Sequence, residues 1–415
     1  MNKYDSYKDS GVEWIGEIPS HWRKSKTNFL SSNYDGKRVP LNGTQRSEME
    51  GEIPYWGSNG VVDYINKSMF NEELVLVGED GSPFFDIYKP ISFKVTGDVW
   101  INNHIHVLKH KESEVLSDFL VHSFNITDFK EFITGSTRDK LTQSDLSRIP
   151  HFLPPLSEQQ QIVTFLDDKT QKIDSLIQQK EKKIELLKEK RTSLINHVVT
   201  KGLNSNVEMK DSGVEWIGEI PSHFEVVKLK YLCSVSTGGK DTQDKIDEGL
   251  YPFYVRSPKI ERINSYSFDG ESVLTVGDGV GVGKVFHYVN GKFEYHQRVY
   301  KFSDFKRVTG KFFYWFMKYH FIFVTEDQNS KSTVDSLRRP LIDEFQFVVP
   351  SLQKQQEIIE YLDKQTEEIE TLIQLEQKKI DTLKEYRQSL ISEVVTGKIR
   401  VCEEDNSLSL NSQTI

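Results

Sequence analysis

Cysteine is nearly missing from this chain: Cys233 and Cys402 are the only two in 415 residues. Neither has a second Cys or a paired His at zinc spacing, which argues against a disulfide framework and a structural zinc and makes a reducing cytoplasm the expected compartment. Long apolar runs are lacking as well. None approaches the roughly 20 residues that a membrane-spanning helix needs, and the opening MNKYDSYKDSG has no apolar core of the kind that marks a secretory signal. Positive charge is not in excess, since the net charge is −9. That argues against coating DNA by bulk charge, but a local basic groove needs only a few well-placed Lys and Arg.

What is present occurs twice. Residues 9–21 and 211–223 both read DSGVEWIGEIPSH. Residues 154–199 align without a gap to residues 350–395. The chain is therefore two copies of one unit, roughly 7–203 and 209–399. Within the repeated motif, Gly16 and Pro19 oppose a continuous helix. The expected form is an extended apolar segment anchored by Trp14 and Trp22, packed against the fold rather than docking a partner.

Each copy ends in a long helix. In the first, Ile173, Ile177, Lys180, Ile184, Leu187, Arg191, Leu194 and Val198 follow alternating steps of four and three, which is a heptad seam. In the second, the seam recurs as Ile369, Ile373, Glu376, Ile380, Leu383, Arg387, Leu390 and Val394. Lys180 in one copy stands where the other has Glu376, and an antiparallel pairing would let the two approach. The expected division is a globular domain over 1–153, a helix over 154–203, a second globular domain over 204–349, a second helix over 350–399 and a polar, disordered tail over 400–415.

The globular parts read as mixed. Strands are expected at 73–78 (ELVLVG), 91–95 and 105–109, and a helix at 116–125. SVLTVG at 272–277 matches the first strand, HQRVYK at 296–301 matches HIHVLK at 104–109, and STVDSL at 332–337 matches STRDKL at 136–141. Outside such islands the two parts diverge.

No catalytic constellation emerges. VGDGVGVGK at 276–284 fails both the dinucleotide fingerprint and the P-loop spacing, so it reads as a Gly-rich turn between strands. A functional version remains, in which bare backbone and Lys284 approach a phosphate. His104, His106 and His110 lie close together without an acidic or Cys ligand at a convincing spacing, so no metal site is expected. Asp86 with Lys89, and Glu181 with Lys183, do not make a nuclease pattern. LPPL at 153–156 lacks the amide and aromatic of a methyltransferase motif.

What remains is a binding surface. In the first part the candidate DNA-binding residues are Lys37, Arg38, Arg46, Asn59, Asn102, Asn103 and Arg138. In the second they are Lys240, Arg256, Lys259, Arg262, Lys284, Gln297, Arg298, Lys331 and Arg338. Arg suits guanine edges, and Asn or Gln suits adenine edges. Taken singly, each is more often a solvated surface group.

The doubled plan resembles the specificity subunits of type I restriction–modification systems. The residues that carry the resemblance are Trp14–His21 and Trp216–His223, with the helix openings Pro154, Leu156, Gln159, Gln160, Ile162 and Pro350, Leu352, Gln355, Gln356, Ile358. Glu158 precedes the first Gln pair, and Lys354 replaces it in the second copy. The resemblance implies an α+β fold with a tandem duplicated unit. Two mixed α/β target-recognition domains would be separated by two long helices packed as an antiparallel coiled coil, with pseudo-two-fold symmetry. It further implies that each domain reads half of a bipartite, asymmetric site in double-stranded DNA. The helices would set the spacing and dock two methyltransferase subunits, which two restriction subunits can join. S-adenosylmethionine, ATP and Mg would belong to those partners, and no cofactor to this chain. A protein-interaction scaffold is the alternative class, and a fused methyltransferase or nuclease is opposed by the missing motifs.

Overall fold

In the computed structural model, the repeated motif is a small hairpin rather than one extended segment. Tyr7–Asp9 pairs antiparallel with Glu17–Pro19, and Met209–Asp211 pairs antiparallel with Glu219–Pro221. The glycines dictate this. Gly11 and Gly16 have φ of 64° and 71°, and Gly213 and Gly218 have φ of 72° and 66°, a conformation that costs other residues about 1–2 kcal/mol each. The same bonds close both turns: Ser10 N–H donates to the Gly16 carbonyl and Ser212 N–H to the Gly218 carbonyl, each at 3.0 Å.

The structure describes residues 3–134, 139–279, 281–329 and 337–401. It divides into two compact units, Met1–Glu181 with Lys378–Ile415, and Lys182–Gln377. Each unit holds one globular part with a portion of each long helix.

In the first unit, one four-stranded sheet has the order Ser31–Asn33, Ile105–His110, Leu74–Gly78, Ser92–Val95. A second has the order Gly60–Ile65, Glu50–Gly57, Asp98–Ile101, Phe70–Asn71. In the second unit the same order is one six-stranded sheet: Ser234–Thr237, Val299–Ser303, Phe268–Val276, Phe286–Tyr295, Tyr251–Tyr254, Ile260–Ile263. The difference lies in continuity. Phe286–Tyr295 runs through Gly291 as one strand, whereas Ser92–Val95 and Asp98–Ile101 are separated at Gly97, whose φ is 76°. The apolar runs ELVLVG and SVLTVG supply the central strands, with Leu74–Gly78 buried at every position, as a strand covered on both faces requires.

The long helices span Leu156–Lys201 and Leu352–Val395. In the first unit they run antiparallel, with Arg387 bidentate on Asp174 at 2.9 and 3.1 Å. In the second unit Lys183 reaches Glu376 and Arg191 reaches Glu370, both at 2.9 Å, so one number rises as the other falls. Ile173, Ile177, Ile184, Val198, Ile369, Ile380, Leu390 and Val394 are buried, while Leu187, Leu194, Ile373 and Leu383 are half-buried. Each fully buried side chain of this size contributes about 1.5–3 kcal/mol. The polar seam positions sit where ion pairs form: Glu376 is buried and takes Lys183, while Arg191 and Arg387 occupy equivalent places and pair with equivalent acids.

Each hairpin closes against a helix end. Gly397 lies against the first: a Cβ there would fall 2.4 Å from Pro19 and 3.2 Å from the Trp22 ring. Gly202 lies against the second, where a Cβ would fall 3.2 Å from the Phe224 ring. Trp216 stacks on Phe345 at 5.6 Å and meets Phe316 edge-on at 6.3 Å, which is packing within its own unit. Trp14 is half-buried.

Candidate functional site

The globular part is fastened to the helix by the first glutamine of each Gln-Gln pair. Gln159 and Gln355 are 1% and 0% exposed. Gln159 accepts the Leu116 N–H at 2.9 Å and donates to the Pro154 carbonyl at 3.0 Å. Gln355 accepts the Thr309 N–H at 2.9 Å and donates to the carbonyls of Arg307 and Pro350 at 2.8 and 3.0 Å. A buried amide thus satisfies backbone groups at the start of the helix of the globular part in both units.

The neighbouring difference between copies is compensated. Glu158 takes the Trp22 indole N–H at 3.1 Å, His21 at 2.8 Å and the Tyr4 hydroxyl at 2.6 Å. In the second copy Phe224 replaces Trp22 and offers no N–H, and Lys354 in place of Glu158 turns to Glu357 at 2.6 Å.

In the first unit the candidates gather at the ends of the central strands. The Asn102 side chain accepts the His104 N–H at 2.7 Å, and His104 contacts Asp80 at 2.7 Å. Asn59 donates to the Gly81 carbonyl at 3.3 Å, and Ser82 to the Ser58 carbonyl at 3.2 Å. The 57–60 turn, the 79–90 loop and residues 102–104 thus form one surface, on which Asn59 and Asn103 are exposed.

The basic candidates here separate into two kinds. Arg38, with its side chain 10% exposed, donates to Glu79 at 2.6 Å and to the Ile105 carbonyl at 2.7 Å, so it braces the interior. Arg46 is held by Asp63 at 2.9 Å and the Leu41 carbonyl at 3.0 Å. Lys37 is exposed, its ammonium 3.4 Å from the Tyr34 ring centroid. Arg138 lies outside the described residues.

Asp35, Glu79 and His106 place ligand atoms within 4.8 Å of one another, a spacing that could hold a cation. The protein's own groups engage these atoms. His106 is fully buried, with one ring nitrogen 2.6 Å from Asp35 and the other 2.9 Å from the Leu141 carbonyl. Arg38 and Lys140 both pair with Glu79. Burial pushes the Asp35 carboxyl up, but the His106 contact, the Val107 N–H and Arg38 outweigh it and hold the group below its usual range. The cluster is an internal ion-pair network.

In the second unit Asp278 is the anchor. Arg256 pairs with it at 3.4 Å and Arg298 pairs with it more closely, and both arginines remain exposed. Gln297 donates to Asp241 at 2.8 Å, and its N–H donates to the Lys240 carbonyl at 2.8 Å. Leu337 N–H donates to the Gly277 carbonyl at 2.8 Å, which sets exposed Arg338 beside this group. The Gly-rich segment is a turn between the strands ending at Val276 and starting at Phe286, with Lys284 exposed. Arg262 lies elsewhere, bonded to the carbonyls of Gly249 and Leu250 at 2.9 and 3.1 Å, and Lys259 pairs with Glu261 at 3.2 Å. Lys331 lies outside the described residues.

The organising residues that sequence reasoning missed are acids: Glu79, Asp80, Asp241 and Asp278. An acid looks unsuited to meeting phosphate, and its partners are distant in sequence. Glu79 holds Arg38 in the interior, Asp80 contacts His104 and Asp241 accepts from Gln297, while Asp278 orients two arginines that stay exposed.

Two globular parts of one strand order, each carrying oriented polar side chains at its strand ends and fastened to the start of a long helix, define a duplicated protein. Residues 32–186 and 221–385 match the family described as type I restriction modification DNA specificity domain, and the chain belongs to that family. It is similar to a putative type I restriction enzyme specificity subunit of Haemophilus influenzae, 27% identical over 79% of this chain and 83% of that one. It is also similar to the MjaVIII specificity subunit of Methanocaldococcus jannaschii, 24% identical over 92% and 94% of the two chains. A solved structure from work on complex assembly and conformational transition of the type I R-M system shares the fold. Its TM-score is 0.69, with 14% identity over 92% of this chain and 99% of that one. No helix among the described residues is long and apolar enough to cross a membrane.

Proposed function

We propose that this chain is the sequence-reading subunit of a type I restriction–modification complex, each globular part reading one half of a bipartite, asymmetric site in double-stranded DNA. The carrying observation is that one strand order presents different side chains at equivalent places. His104, whose carbonyl takes the Glu79 N–H, is held by Asp80 in the first unit. Arg298, whose carbonyl takes the Gly277 N–H at the matching place, is exposed and oriented by Asp278 in the second. Two readers with one scaffold and different chemistry suit two unlike half-sites.

On this reading the paired long helices set the gap between half-sites, as subunit geometry does in other DNA readers. The equivalent helix surfaces dock two methyltransferase subunits, and two restriction subunits join them. S-adenosylmethionine, ATP and Mg act in those partners, while this chain contributes recognition without catalysis. Exchanging residues 23–153 for the counterpart from a relative tests the proposal. Adenine-methylome sequencing is expected to show one half-site changed and the other retained. Change in both halves, or in neither, would refute it.

A further inference from the structure

The loop that follows the central buried strand differs most sharply between the units. In the second it is the Gly-rich turn after Val276, and among its described residues no large apolar side chain is exposed. In the first it reads Gly81-Ser-Pro-Phe-Phe-Asp-Ile-Tyr-Lys-Pro90, and Phe85, Ile87 and Tyr88 are 55%, 60% and 52% exposed. Three large apolar groups facing water in seven residues call for a covering partner.

The loop is also built to keep them outward. Phe84 is buried against Phe129, ring centroids 5.4 Å apart. Asp86 N–H donates to the Pro83 carbonyl at 2.9 Å and Lys89 N–H to the Asp86 carbonyl at 3.0 Å. The Asp86 carboxylate accepts the Tyr88 N–H at 3.1 Å and pairs with Lys89 at 3.0 Å, so it does not oppose a polyanion with a bare charge. At the other end, Asn59 and Ser82 tie the loop to the 57–60 turn. The loop thus starts on the surface that carries exposed Asn59 and Asn103, side chains suited to base edges, with its apolar tip three to six residues further along the chain.

We propose that the Pro83–Lys89 loop enters the DNA of the first half-site and presses Phe85, Ile87 and Tyr88 against bases, partly unstacking a step. The inference rests on the DNA-reading role proposed above. Its occupant is DNA rather than a partner subunit because the loop is tied to the turn that carries the candidate base-edge residue Asn59. Apolar wedges of this type open a base step and add specificity through the ease of deforming it.

The test uses the full chain assembled with its methyltransferase subunits, on a duplex bearing the motif that methylome sequencing assigns to that complex. 2-Aminopurine replaces each position of the first half-site in turn, the methylated adenine excepted. A several-fold fluorescence rise is expected at one step and none in the second half-site. Phe85→Ala with Tyr88→Ala should abolish the rise and weaken binding about tenfold or more, and Tyr88→Phe should keep both. No rise in the wild-type complex, or a rise that survives the double substitution, overturns the loop assignment. Failure of the double variant to assemble with the methyltransferase in the absence of DNA would place protein on the loop and also overturn it. A domain exchange that leaves both half-sites unchanged would defeat the DNA-reading role itself. An exchange that changes one half-site while the double variant keeps wild-type fluorescence and affinity defeats only the loop.

Discussion

At the residue scale, two buried side chains make opposite demands. Gln355 meets backbone groups that no other side chain in its position could satisfy together, one N–H and two carbonyls. Gln355→Leu keeps the bulk and strands those groups, so stability should fall by about 2–3 kcal/mol. Urea denaturation of the purified chain checks this, and a loss below about 0.5 kcal/mol would make the bonds incidental. His151 lies between Thr27 and Ser123 hydroxyls at 2.9 and 2.7 Å, fully buried. Burial pushes it down to about 3, while an unfolded histidine titrates near 6.5. Its contribution is therefore complete above pH 6.5. It is lost progressively as pH falls toward 3, because the unfolded chain takes up a proton that the folded one refuses. His151 should contribute a slope of up to roughly 1.4 kcal/mol per pH unit, measured as the urea midpoint against pH. His151→Asn should remove that share, while His122 and His320, also pushed down by burial, keep theirs. Phe347 occupies the matching strand position in the second unit, where His320, pushed down to about 4 by burial, gives a pH dependence of the same sign.

At the element scale, the seam separates stability from register. The buried isoleucines and leucines supply the attraction. The pairs Arg387–Asp174 and Arg191–Glu370 are partly exposed and add little energy, about 0–1 kcal/mol each. They do specify which turn faces which. One heptad added to each helix, after Lys183 and before Glu376, would keep the seam in phase and lengthen each helix by about 10 Å. If the helices set the gap, the methylated motif should gain about three base pairs of spacer, with its specific bases unchanged. An unaltered spacer in the methylome would take the ruler role from the helices. The seam was legible in sequence because periodicity is local. Leu186, next to seam position Leu187, is 52% exposed, as the heptad spacing requires. The hairpin was not legible as such. Gly16 and Pro19 announced a break, but pairing with Tyr7–Asp9 depends on residues before the repeat.

At the whole-molecule scale, duplication gives one chain two equivalent helix surfaces and two globular parts of unlike sequence. The domain exchange at residues 23–153 is the test at this scale, and the mirror exchange at 224–349 should alter only the other half-site. The candidate site was partly legible. Asn59, Asn103, Arg256, Gln297, Arg298 and Arg338 are exposed. Arg38 and Arg262 were indistinguishable from them in sequence, yet bond to backbone carbonyls in the fold. An arginine has five donors whether it meets a phosphate or a carbonyl, so composition alone does not tell bracing from reading. Phe85, Ile87 and Tyr88 carried no signal, because apolar residues in a loop ordinarily pack inward.

The sequence by itself determined the doubling, the two long helices with their seam, the buried central strands and the family. Each follows from repetition or short-range periodicity. Tertiary structure alone decided the strand order, the closing of each hairpin onto a helix end, and the division of charged residues between interior braces and exposed positions. Those depend on contacts between residues far apart in the chain. Arg38 meets Glu79 across 41 positions, and Arg387 meets Asp174 across 213. No local pattern records such a meeting.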